Sequence, residues 1–114
     1  MMRKLWIICG PQGSGKTAIT QSLKSAMGEH YVMELHATDE IPEMVEDSLK
    51  MIIVEEVINK GQIHLWESAM AHETIKTEGD QVYVGLIALC VQRHTPTEEE
   101  MVLYKNTREY LVLD

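Results

Sequence analysis

Short apolar runs alternate with helical periodicity along the chain. Residues 5–9 form a continuous apolar run ending at a glycine, the pattern of a strand buried on both faces. Over 17–27 the spacing predicts a helix with Ile19, Leu23, Ala26 and Met27 on one face, and Gly28 is suited to cap it in a left-handed conformation. Residues 31–37 read as a second strand. Pro42 suits the first turn of a short helix, with Met44, Val45, Ser48 and Leu49 facing inward. Residues 51–54 read as a third buried strand. The stripe Ile63, Trp66, Met70 and Thr74 predicts a helix over 62–76, and Gly79-Asp80 marks a turn. The strongest strand signal spans 81–92. Thr95-Pro96-Thr97-Glu98 carries a helix start, with Thr95 as cap, Pro96 in the first turn and Glu98 reaching back. That helix runs to about Asn106, and 110–113 closes the chain as a fifth strand. Alternation of this kind predicts an α/β fold: a three-layer sandwich with a five-stranded parallel sheet and right-handed crossovers.

Composition narrows the picture. At 114 residues, 45% hydrophobic and 25% charged, the chain fits one domain, residues 1–114, with its own core. It has no Phe, so Ile, Val, Leu and Met must supply that core with a few Tyr and Trp. A net charge of -8 counts against a stand-alone nucleic-acid binder, which needs a basic surface to replace phosphate counterions; a local basic patch or a basic partner stays open. Cys9 and Cys90 lie inside apolar runs, which points to reduced, buried thiols in a cytoplasmic protein. Residues 1–4 precede only five apolar residues, too few for a signal-peptide core. The longest apolar stretch, 82–91, falls short of the roughly 20 residues a membrane-spanning helix needs, so no membrane association is expected.

Chemistry enters at Gly10-Pro11-Gln12-Gly13-Ser14-Gly15-Lys16-Thr17, which matches G-x-x-x-x-G-K-[ST] at every fixed position. Glycines permit positive φ and leave no side chain to obstruct a phosphate. Backbone N–H groups of such a loop surround an anion, and the following helix turns its positive end toward it. Lys16 is then expected to bridge the β- and γ-phosphates, and the Thr17 hydroxyl to ligate Mg²⁺. Residues 10–17 together with Ala18 are the expected nucleotide contacts. A buried strand before the motif and a helix after it are the context it requires. The competing reading is a glycine-rich turn that binds nothing.

On this motif the chain resembles the P-loop NTPases, which include AAA-type ATPases, helicases and small kinases. The resemblance gives a meaning to Met51-Ile52-Ile53-Val54-Glu55-Glu56, an apolar strand ending in an acidic pair, like the Walker B element. It implies that Glu55 supports Mg²⁺ and that Glu56, as in the division with an additional catalytic glutamate, activates the attacking water. The family usually carries aspartate where this chain has Glu55. The extra methylene moves the carboxylate outward by roughly 1.5 Å, and Mg²⁺ is strict about geometry, which puts efficient hydrolysis in question. A solvated strand end is the plainer alternative.

Gln92 occupies the position of the polar sensor near the γ-phosphate in AAA-like ATPases, with a simple strand terminus as the other reading. Arg93 and Arg108 are candidates for an arginine finger reaching a neighbouring subunit, and a surface arginine is the commoner case. His64 and His72, two helical turns apart, are the one histidine pair with ligand-like spacing, and packing or surface roles outweigh zinc. Met44, Met51, Met70 and Met101 read as core filler.

The resemblance implies the sheet order 5-1-4-3-2, with 5–9 beside 82–91. It also implies a minimal AAA-like ATPase that binds ATP with Mg²⁺. The usual helical lid has no counterpart before Asp114, so slow turnover and dependence on a homo-oligomer or protein partner are expected. A non-catalytic nucleotide-binding module and a small-molecule kinase are the alternatives. ATP is favoured over GTP because no N-K-x-D motif is present.

Overall fold

The three most apolar runs of the chain lie side by side. In the computed structural model, which describes residues 5–92 and 95–113, the elements follow as β1 (Leu5–Cys9), α1 (Lys16–Met27), β2 (Val32–His36), β3 (Met44–Val45), β4 (Met51–Val57), α2 (Lys60–Ala71), β5 (Lys76–Thr77), β6 (Leu86–Val91), α3 (Glu98–Leu103) and β7 (Arg108–Val112). A 3-10 turn, Glu29–Tyr31, joins α1 to β2. The main sheet has five strands in the order β2-β4-β6-β1-β7, all neighbours parallel, while β3 and β5 form a separate parallel ribbon. Across the main sheet the neighbouring segments are thus 108–112, 5–9, 86–91, 51–57 and 32–36. The ribbon contributes two strands that periodicity does not predict, and the strand labels therefore differ from the expected 5-1-4-3-2.

Side chains alternate across a strand, so each central strand feeds two cores. On one face Ile7, Cys9, Ile52, Val54, Ile87, Leu89 and Val91 pack with Ile63 and Trp66 of α2. On the other, Met51, Ile53, Ala88 and Cys90 pack with Leu23 and Met27 of α1. This two-sided burial explains why β1, β4 and β6 read as unbroken apolar runs. No helix among the described residues is long and apolar enough to cross a membrane.

Several local expectations are corrected. Residues 42–49 are not helical: Met44 and Val45 are extended, and the backbone is tied to distant residues by Lys76 N–H donating to Glu43 O (2.9 Å) and Glu78 N–H to Val45 O (3.0 Å). Met44 is 63% exposed and fills no core. The helix expected over 62–76 is α2, which starts at Lys60, capped by the Asn59 side chain, and stops at Ala71. Its fourth stripe residue, Thr74, turns back onto Ala69 O. The long strand expected over 81–92 is regular only from Leu86. Helix α3 is capped by Thr97, not Thr95, through a reciprocal pair with Glu100, and ends at Leu103. Gly28 ends α1 with positive φ (100°) but extended ψ (128°), not as a left-handed cap. Ala26 is exposed, and the buried row of α1 begins with Lys16 and Thr20.

Candidate functional site

The loop after β1 is pinned at both flanks. Gly10 N–H donates to Val91 O of β6 (3.1 Å), and Leu113 N–H, just past β7, donates to Cys9 O (2.7 Å). A Cβ on Gly10 would come within 2.5 Å of Ser14 Oγ and 3.0 Å of Leu113 O, so the loop closes only around glycine here. Gly13 (φ 81°) and Gly15 (φ 102°) stand in open space; glycine is needed there for conformation, not for room. Gly15 is also the N-cap of α1, whose start has no side-chain cap and no acidic residue in its first turn. The positive end of that helix therefore meets no negative charge from its own first turn. Pro11, Gln12, Gly13, Thr17 and Ala18 are exposed, and Ser14 is half-buried.

Lys16 is 7% exposed. Its Nζ donates to Gly10 O (2.6 Å), Pro11 O (2.7 Å) and Ser14 Oγ (3.3 Å). These partners are neutral oxygens, so the ammonium is solvated by the loop but not neutralised by it. A buried charge held in this way favours an incoming anion.

The acidic pair sits on a bulge just before the last residue of β4, Val57. Register slips between Val54 and Val57, and Glu56 adopts φ 60°, a left-handed conformation uncommon for a residue with a side chain. The two carboxylates diverge. Glu55 turns toward α1, where Thr20 Oγ1 donates to its Oε1 (3.4 Å), and it lies near enough to Cys90 of β6 to raise that thiol's pKa. Glu56 extends into solvent with its side chain 65% exposed, and its Oε2 lies 3.9 Å from His36 Nδ1 at the end of β2. Gln92, half-buried, follows β6 directly, and its N–H donates to Val57 O (2.8 Å). The glycine loop, both glutamates and Gln92 thus gather at the carboxyl ends of β1, β4 and β6, where open α/β sheets bind ligands.

Burial raises the two thiols: Cys9 to about 11, despite the nearby Lys16 charge, and Cys90 to about 12, with Glu55 adding to the rise. Both cysteines are free and buried.

Other expected residues fall outside this cluster. Arg108 is the first residue of β7, paired with Leu5 at the far end of β1 from the loop, roughly 13 Å away by strand rise. It is 4% exposed and engages Glu67 of α2 in a two-pronged ion pair, with Nε to Oε2 at 2.6 Å. Nη1 donates to the Tyr110 hydroxyl (2.6 Å), and the guanidinium stacks 3.7 Å over the Tyr104 ring. Burial acts to lower its pKa, but the bonds to Glu67 and Tyr110 outweigh this and hold it above its ordinary value. Such an arginine is a structural clamp and is not available as a finger. Arg93 lies outside the described residues. Among the described residues no group of three or more His, Cys, Asp and Glu could hold a metal. His64 pairs with Glu67 (3.0 Å) within its own helix and lacks the further ligands that zinc needs.

Thr20, whose hydroxyl reaches Glu55, is absent from the motif-based set. One signal was available: Lys16, Thr20, Leu23 and Met27 form a single helical row, so Thr20 is a hydroxyl in a buried stripe. Among known proteins, no family model matches the chain and no curated protein matches it.

Proposed function

We propose that this chain binds ATP with Mg²⁺ through residues 10–18 and hydrolyses it slowly, as a minimal AAA-like P-loop ATPase. The observation that carries the reading is Lys16: a buried ammonium held by neutral oxygens of a glycine loop, beside an uncapped helix start. An anion with several oxygens satisfies both the lysine and the free amides at the start of α1. The hard oxygens of Thr17 and Glu55 suit Mg²⁺, which takes one or two protein ligands and completes its shell with water and phosphate. When bound, Mg²⁺ supplies charge compensation at the phosphates. Lys16 and the loop amides bind and orient the triphosphate. Glu56, on its strained bulge, takes the proton of the attacking water, and Gln92 beside the bulge orients the terminal phosphate. The position of β6 between β1 and β4 supports the AAA-like placement, since simple kinases and GTPases set the acidic strand directly beside the loop strand.

The test compares ATP binding and phosphate release for wild type, Lys16→Ala and Glu56→Gln. Binding lost in Lys16→Ala, and turnover lost but binding kept in Glu56→Gln, is the expected result. Wild-type affinity in Lys16→Ala removes the nucleotide reading. A second reading, a nucleotide-binding module without turnover, is favoured by the 65% exposure of the Glu56 side chain and its placement toward His36. ATP bound without phosphate release, and a Glu56→Gln variant identical to wild type, select that reading.

A further inference from the structure

Glu55, turned toward the helix that follows the loop, is held by a side chain outside the loop motif. Thr20 is fully buried on the sheet-facing side of α1, three residues beyond Thr17. Its hydroxyl reaches two acceptors, Thr17 O (3.1 Å) and Glu55 Oε1 (3.4 Å). One O–H can donate to only one of them at a time. Threonine in a helix ordinarily satisfies itself on a carbonyl of the preceding turn, so Thr20 has no need of Glu55. Glu55 does need Thr20: a half-buried carboxylate loses stability unless donors replace its water, and donors to a charged group form the stronger bonds. From β4 the carboxylate reaches α1 because glutamate is longer than aspartate by one methylene, about 1.5 Å.

We propose that Thr20 is a positioning residue, whose hydroxyl fixes the Glu55 carboxylate against α1 and so sets how much a divalent cation strengthens nucleotide binding. The inference rests on the nucleotide reading of the loop. When the hydroxyl donates to Glu55, one carboxylate oxygen is tied to the helix and the acid is pre-organised for a hard cation. When it donates to Thr17 O, the carboxylate is released, at a cost in cation affinity. Glutamate in place of the family's aspartate thereby acquires a function, because the longer side chain spans the gap that Thr20 closes.

The experiment measures the affinity of a non-hydrolysable ATP analogue with MgCl₂ and with EDTA, on the full chain. Thr20→Val keeps the shape and removes the donor; it is expected to cut the gain from Mg²⁺ by about tenfold while leaving the EDTA affinity unchanged. Thr20→Ser retains the donor and should behave as wild type. In a Glu55→Ala or Glu55→Asp background, Thr20→Val should add nothing, since no carboxylate then reaches position 20. An equal loss with and without Mg²⁺, an effect that persists in Glu55→Ala, or no effect at all each overturn the proposal. If Thr20→Val does not fold, Thr20→Ala in the same two backgrounds decides by the same criteria. Wild-type binding that depends on Lys16 but ignores Thr20 overturns this inference alone; no Lys16-dependent binding overturns the nucleotide reading with it.

Discussion

Lys16 and Arg108 are both buried cations, and their partners separate their roles. Arg108 faces a carboxylate, so its charge is cancelled within the protein; Lys16 faces two carbonyls and a hydroxyl, so its charge is available to a ligand. Arg108→Ala leaves Glu67 of α2 with His64 as its remaining partner and removes the stack on Tyr104. It should cost about 3 kcal/mol of stability, read by urea unfolding, with nucleotide affinity of the folded fraction unchanged. The thiols give a second outcome at this scale. Their values rise from 9.0 to about 11 (Cys9) and about 12 (Cys90), so folding favours the neutral form. Their contribution is whole below pH 9. Above it the unfolded thiols ionise while the folded ones do not, and stability falls by about 1.4 kcal/mol per pH unit for each thiol until the folded values are reached. Folded protein at pH 7.5 should resist iodoacetamide at both cysteines, with labelling appearing only in denaturant. The glycine loop and the acidic pair were legible in the sequence because each is a contiguous motif. The bulge at Val54/Val57 and the left-handed backbone of Glu56 were not, because no local pattern encodes them.

At the scale of elements, contiguous apolar runs and the α1 periodicity marked the right segments, since two-sided burial leaves a local signature. Segment 42–49 misled because inward positions 44, 45, 48 and 49, one of them a serine, span too little chain to separate the two periods; β3 exists only through pairing with β5, some thirty residues away. The cap of α3 was expected at Thr95. Pro96 in the first turn favoured Thr95, but Pro96 is buried ahead of the helix and Thr97 accepts from Glu100 N–H (3.2 Å). Thr97→Ala should therefore cost about 1 kcal/mol in thermal or urea unfolding, and Thr95→Ala close to nothing. Gly13→Ala is expected to strain the loop at φ 81° by about 1 kcal/mol or more, weakening ligand binding through geometry rather than collision.

For the whole molecule, parallel strands order the chemistry: every β–α connection on the loop side of the sheet leaves from a carboxyl end, so loop, acids and Gln92 converge although up to about eighty residues separate them. Stability is graded across the same frame. Amides of β1, β4 and β6, covered on both faces, should exchange slowest with deuterium, and those of edge strand β7 and the β3–β5 ribbon faster. Uniform protection across all seven strands would contradict that gradient. The central claim concerns the buried, unneutralised ammonium at the end of β1, and titration of ATP with Mg²⁺ into wild type and Lys16→Ala, both checked for folding, tests it most directly. The account predicts saturable binding by wild type and its loss in the variant; equal binding by the two, or none by the folded wild type, would contradict it.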